Sequence, residues 1–482
     1  MASVDKQYVR EEVDKVKTDF DALCKSGKIS TETKVLFSSM FMIMNLILSI
    51  FMERKTRKNN KNSSIPSSQS DPDTSTDYNS KTNSKGKNDN NDVASNSKTT
   101  QTTTIVPIEN CNCCGQDIVN IEAHSHERRT KIDIMFEKVV THIDAEIKAC
   151  PNCKSNVKAP FPSDMHGPLQ YGNGLKAYTI NLAFCQMISL VRVQKLIKAM
   201  IGQTISQASI LKYIWTLHNA LKDWETRAKQ QILLEPAINA DETGFNVKSK
   251  DHNGKHWIHI YCANDITLKF LHKSRGKEAI NDIGIIPKYS GVVIHDCWAS
   301  YFSYENNADA LCGSHLLRDL VFIEESNNYK WAVDMQKLLK ETCHKVSSRK
   351  CKRLSIREFR KVRKKYSQII AEGKTQIPKT PIKQKTKRGR VPKSDAHNLL
   401  ERLEKYENAV LLFAKDSNVS FTNNRAERDL RMAKVKQKVS GCFRTYRYAA
   451  AYCRITSYLQ TMANKGINPL IAIESALTGK ID

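Results

Sequence analysis

Acidic residues are in short supply: the 482-residue chain holds 50 Asp and Glu against 76 Lys and Arg, a formal net charge of +26. That deficit excludes a charge-balanced surface and predicts attraction to a polyanion, of which nucleic acid is the commonest soluble example. The opening stretch MASVDKQYVREEVDKVK lacks the signs of a secretory leader, a basic segment followed by a short apolar run and a cleavage site. A reducing, cytoplasmic setting is therefore expected, in which the 14 cysteines serve as metal ligands rather than bridges. Large apolar residues are nearly missing from about Lys55 to Thr104, where Asn, Ser, Thr, Lys and Asp dominate. That segment cannot bury enough surface to fold and reads as a disordered polar linker. Charge, in turn, is missing from Val35 to Met52, 18 residues that reach the lower bound for a membrane span. Ser38, Ser39, Asn45 and Ser49 interrupt this run and charged helical sequence leads into it, so a buried or self-associating helix is expected and no membrane anchor.

A chain of this length exceeds one compact core and predicts three or four modules. The boundaries expected are an N-terminal helical segment over 1–54, the linker over 55–104, a small zinc-ribbon-like module over 105–161 and a helical, DNA-binding region over 162–232. A catalytic domain over 233–323 and 396–482 follows, split by a basic helical insertion over 324–395. The insertion stands out by charge: Glu341 to Lys393 holds 19 Lys or Arg and 3 Glu, which suits either a disordered segment or a helical surface laid along phosphates.

Within the module at 105–161, Cys111 and Cys114 form one CxxC and Cys150 and Cys153 the other, a set of four thiolates that suits a tetrahedral structural Zn2+. The 35 residues between the pairs exceed the tighter zinc pattern, and Cys113 competes with Cys111 as a ligand. Ile132, Ile134 and Phe136 alternate on one face and predict a short strand in that gap. From Gly174 to Lys229 the pattern is helical, and Gly202 followed by Ile205 to Ile210 resembles the turn of a helix-turn-helix.

The period then changes. Pro236 to Asp241 reads as a short apolar strand, Lys255 to Ala263 and Ile266 to His272 as a hairpin, Lys277 to Ile283 as a short helix, and Gly291 to His295 as a buried strand ending at Asp296. The order strand, strand, strand, helix, strand is that of an α/β, RNase H-like core, in which the first and fourth strands lie side by side. Asp241 and Asp296 would then meet from distant sequence. A third carboxylate, Glu427, lies on a helix whose face it shares with Asn424 and Arg431. Metal-assisted phosphodiester chemistry needs such a group, because hard ions such as Mg2+ take carboxylate oxygens. On this reading alone Glu242 and Asp429 stay open as alternative ligands.

Six blocks of this sequence resemble the insertion-sequence-66-type family of DDE transposases, over a span from about Asn60 to the C-terminus. They are Lys61 to Ser68 (KNSSIPSS), the two CxxC pairs, Ala240 to Gly244 (ADETG), His295 to Trp298 (HDCW), Cys312 to Arg318 (CGSHLLR) and Asn423 to Arg431 (NNRAERDLR). The resemblance implies Asp241, Asp296 and Glu427 as the catalytic triad, holding Mg2+ or Mn2+. It implies a helical insertion between the second Asp and the Glu, and helper proteins encoded beside the gene. It also implies a two-step reaction in which water cuts the element's end to free a 3′-hydroxyl that then attacks target DNA. The Met-rich run at 35–52 departs from the helical segment the family leads one to expect.

The partners expected are therefore DNA, as terminal repeats and as target, and further copies of this chain on that DNA, since strand transfer commonly uses two active sites. Arg388 and Arg390 flank Gly389 in a form that suits a narrow minor groove. Arg428, Arg431, Lys434, Lys436 and Lys438 follow Glu427 on one helix and read as phosphate contacts. Cys312 and His315, one turn apart, make only half a metal site. A nuclease using water alone, and a DNA-binding regulator that has lost catalysis, are the competing readings.

Overall fold

The computed structural model describes residues 103–132, 136–162, 165, 167–248, 255–378 and 393–481, with Val16, Phe20 and Phe37. The apolar run at 35–52 apart from Phe37, the linker apart from its last two residues, Ile134, Arg388 and Arg390 lie outside the described residues. Among the described residues no helix is long and apolar enough to cross a membrane.

The chain divides into two compact units, residues 71–142 and residues 1–70 with 143–482. In the smaller unit a bridge between Asn110 and Asp117 closes a tight turn over Cys111 to Cys114. From residue 143 the larger unit carries a two-stranded ribbon, β1 (Ile147–Ala149) and β2 (Asn156–Lys158), antiparallel about the turn that carries Cys150 and Cys153.

Four helices follow: α1 (Asn173–Phe184), α2 (Leu190–Ile201), α3 (Gln207–Ala220) and α4 (Lys222–Ile232). Gly202 ends α2 at φ 69°, a left-handed conformation that spares glycine the Cβ clash. Ser206 then opens α3, its hydroxyl accepting from the Ser209 N–H at 3.0 Å. This is the turn read in the sequence as a helix-turn-helix.

The sheet comprises β3 (Ala237–Asn246), β4 (Lys255–Ala263), β5 (Ile266–His272), β6 (Val292–His295) and β7 (Ala308–Leu311), with α5 (Lys277–Ile283) between β5 and β6. Its spatial order is β5-β4-β3-β6-β7, antiparallel across the first three strands and parallel from β3 to β7. The architecture is thus mixed α/β, and the strands of Asp241 and Asp296 are neighbours. The strand expected to end at Asp241 runs on to Asn246, because β4 continues to pair with it there.

Beyond β7 come α6 (Gly313–Asn327), α7 (Lys330–Ser347), α8 (Ile356–Gln376), α9 (Asp395–Lys405), α10 (Glu407–Lys415), α11 (Asn424–Ser440), α12 (Tyr446–Asn464) and α13 (Pro469–Leu477). One core joins α1–α4 to the sheet and to α11–α13, with Ile180, Leu217, Ile258, Ile260 and Tyr452 in its interior. A second core is built within α6–α10 around Trp331, Leu339, Tyr366 and Leu403. The helices between Asp296 and Glu427 therefore carry their own apolar interior, which burial of such side chains stabilises by roughly 1.5–3 kcal/mol each. α8 opens on a reciprocal cap, Ser355 with Glu358.

Candidate active site

β3 pairs with β6 only over Ala237 to Asn239, and with β4 over Asn239 to Asn246. Past Asn239, β3 and β6 no longer pair, and the gap between them at the sheet's centre is the candidate cleft. Continuing the register Asn239 to Ile294 by two residues sets Asp241 level with Asp296 across that cleft. Cys297 follows at φ 74°, unusual for a residue with a Cβ, and the Trp298 N–H bonds back to Asp296 Oδ1 at 3.1 Å. That turn fixes the Asp296 carboxylate at the strand's end.

Glu427 arrives from α11. Immediately before that helix, Asn423 is fully buried, its amide donating to the Ala240 carbonyl at 2.8 Å and accepting from Asn239 Nδ2 at 2.9 Å. Its backbone N–H points at Cys312 Sγ, 3.1 Å away. A side chain two residues from Asp241 thus pins the start of the helix one turn from Glu427. Burial, and then the negative charges of Asp296, Glu242 and, more weakly, Glu427, push the Asp241 carboxyl well above its usual range. Asp241 thus feels Asp296 and Glu427 from distant sequence, and a divalent cation at its oxygens would relieve the conflict.

Glu242 and Asp429 are differently placed. Glu242 is buried, takes Arg275 Nε at 2.8 Å on one oxygen and the Tyr301 hydroxyl at 2.9 Å on the other, and burial raises it to about 7. Asp429 accepts from Thr267 at 2.9 Å and from Arg428 at 3.3 Å inside the helix-sheet packing. Both are already committed to protein partners. Arg275 itself lies 3.7 Å from the centroid of the Trp298 ring and 5.1 Å from that of Trp257, with a guanidinium nitrogen 3.9 Å from Asp296. Nothing in the sequence around Arg275 marked it. Asn423 stood in the block that carried Glu427, yet its latch to β3 was invisible.

Around Glu427, Cys312, His315 and Arg318 approach from α6, at 4.0, 3.4 and 3.9 Å. Along α11, Arg428, Arg431 and Lys438 are exposed, whereas Lys434 and Lys436 turn inward, onto the carbonyls of Gly244 and Ala183.

Cys111 and Cys114 belong to the smaller unit, Cys150 and Cys153 to the larger. Each pair forms the same turn: the N–H of the first cysteine bonds the carbonyl five residues on, and the N–H four residues on returns to its carbonyl. The residue after each second cysteine is left-handed, Gly115 at 76° and Lys154 at 55°. Backbone N–H groups of Cys113 and Cys114 lower the Cys111 thiol, and Ser155 brings Cys153 down to about 7. Such turns favour the thiolate that Zn2+ requires, so each half fits the ion.

The family model described as Transposase IS66 family matches residues 168–451, a span that includes the whole cleft and the helices on both sides of it. A search of curated proteins found no match.

Proposed function

Because the chain belongs to the IS66 transposase family, we propose that it is a DDE-type transposase that cuts DNA at the ends of its element and joins them to target DNA. What supports this reading is that Asp241 and Asp296 fall level on neighbouring strands and that the charges of Asp296, Glu242 and Glu427 all act on Asp241. The strand order β5-β4-β3-β6-β7, with α6–α10 inserted before the third carboxylate, supports an RNase H-like core.

In this mechanism the oxygens of Asp241, Asp296 and Glu427 would hold Mg2+ or Mn2+. When bound, the ion helps activate the attacking oxygen and stabilise the leaving one. First, water attacks the phosphodiester at the element's end, its proton passes to solvent, and the 3′-oxygen leaves as a free 3′-hydroxyl. That hydroxyl next attacks a target phosphodiester, expelling the target's own 3′-oxygen, with no covalent enzyme intermediate. The chain's contribution is position: Asn423 sets Glu427 against β3, and Arg275 and Tyr301 occupy the Glu242 carboxylate. The exposed Arg428, Arg431 and Lys438 grip phosphates beside it, and Arg388 and Arg390 reach a minor groove. α3 offers Gln207, Lys212 and Thr216 to DNA. Cys111 with Cys114, and Cys150 with Cys153, each supply two thiolates to structural Zn2+, and the active form is a multimer on DNA.

Purified protein incubated with Mn2+ or Mg2+, a labelled element end and a target plasmid tests this. Nicking and joining are expected. Binding without cutting under any metal would indicate a regulator, and cutting without joining a nuclease.

A further inference from the structure

A second set of donors converges on Glu427 from the side of α6. Cys312 stands at the cap of that helix and His315 one turn on, and the helix is fixed against the loop leading into α11 by the Gly313 N–H on the Phe421 carbonyl at 2.7 Å. Cys312 Sγ lies 4.0 Å from Glu427 Oε1, His315 Nδ1 lies 3.4 Å from the same oxygen, and all three donor atoms fall within 4.8 Å of one another. His315 Nδ1 is buried and makes no hydrogen bond, although that oxygen is so near. Buried ring nitrogens are ordinarily satisfied, and a cation between nitrogen and oxygen would satisfy both.

The donor types set the class of ion. Thiolate, imidazole and carboxylate together suit Zn2+ or Co2+, whereas Mg2+ takes oxygen alone. Bonds of roughly 2.0–2.3 Å around a tetrahedral centre separate donors by roughly 3.3–3.7 Å, close to the spacing already present. We propose that Cys312, His315 and Glu427 form a binding site for a thiophilic divalent ion of the Zn2+ class. Binding releases the Cys312 thiol proton to solvent and leaves a fourth position for water or a DNA phosphate. Because this site takes Glu427, its occupation withdraws that carboxylate from the Mg2+ site and stops cleavage. That consequence rests on the catalytic reading of Glu427, while the binding does not.

The test uses the full chain, stripped with a chelator and titrated with Co2+ in the absence of DNA, read by the thiolate-to-cobalt absorption band and by bound equivalents. Relative to wild type, Cys312→Ser, His315→Gln and Glu427→Gln are each expected to lose one equivalent or to bind it at least ~100-fold more weakly, the upper range for losing even an outer partner. Asp241→Ala, which removes an oxygen ligand only, is expected to keep the thiolate-to-cobalt band that Cys312→Ser loses. Unchanged heat-unfolding midpoints of the metal-free variants separate a lost ligand from a lost fold. Equal cobalt stoichiometry in wild type, Cys312→Ser and His315→Gln overturns the site. With Mg2+ present, Zn2+ is expected to inhibit DNA cleavage by wild type, and inhibition that Cys312→Ser leaves unmoved overturns the coupling. If cobalt follows the expected pattern while Glu427→Gln still cleaves DNA, the catalytic reading has failed and the site stands.

Discussion

Asp241 is held in an electrostatic conflict, opposed by burial and by the charges of Asp296, Glu242 and Glu427, with only the Glu242 N–H at 2.8 Å favouring its ionised form. Replacing it by the neutral isostere removes that conflict together with the proposed metal ligand. Asp241→Asn should therefore raise the unfolding midpoint of metal-free protein by roughly 2–4 °C, the shift that ~1 kcal/mol produces in a domain of this size. The gain should vanish in saturating Mg2+, which calorimetry with and without the ion would show. His218 gives a second prediction at this scale. Burial lowers it from 6.5 to about 4, and its ring accepts from Arg454 at 2.9 Å, as a neutral imidazole must. Between those two values the unfolded chain binds a proton that the folded chain refuses. Its contribution is complete above about pH 6.5 and is lost as pH falls towards 4. Unfolding free energy measured across this window should fall less steeply in His218→Gln, while His259, lowered to about 4 by its own burial, preserves part of the slope. An identical slope in both proteins would refute the assignment.

At the scale of elements, the cleft depends on how α11 and α6 are fastened to the sheet. Asn423→Ala removes two buried side-chain bonds to β3 and strands the Ala240 carbonyl and the Asn239 amide, a loss of about 1–3 kcal/mol. Denaturant unfolding should report that loss, and DNA cleavage should fall more than DNA binding, since the latch places Glu427. Gly313 lets α6 approach the Phe421 ring so closely that an added Cβ would lie 2.2 Å from it. Gly313→Ala is expected to destabilise by about 1–3 kcal/mol, and Phe421→Leu in the same chain to recover part of that. Much of this arrangement was legible in the sequence: the four strands from β3 to β6 announced themselves by apolar runs, and Asp296 by its place after GVVIH. The extension of β3 to Asn246 was not, because pairing with β4 sustains it rather than its own apolar pattern. Glu242 and Asp241 were equally good ligands by residue type and position. What separates them are Arg275 and Tyr301, 33 and 59 residues away from Glu242, partners that no local pattern reveals.

At the scale of the whole molecule, the excess of positive charge is unevenly used. In the helices between Asp296 and Glu427, Arg349 and Lys345 pair with Glu358, Arg363 with Glu407 and Lys374 with Glu404. Arg357, Arg360, Lys361 and Lys364 are exposed along α8, at spacings of three and four that share a face. If that face tracks phosphates, replacing all four by alanine should weaken DNA binding regardless of sequence and flatten its salt dependence by about 0.9 log units for each phosphate no longer neutralised. An unaltered salt slope would make it merely a solvated surface. The proposed metal-dependent triad is tested most directly by cleavage and joining of a labelled element end by wild type, Asp241→Asn, Asp296→Asn and Glu427→Gln, with DNA binding measured on the same samples. The account predicts that each substitution leaves binding within a fewfold and lowers both steps by about 10³-fold or more, as expected for several kcal/mol of lost stabilisation. Cleavage that survives any one of the three substitutions at near wild-type rate would contradict it.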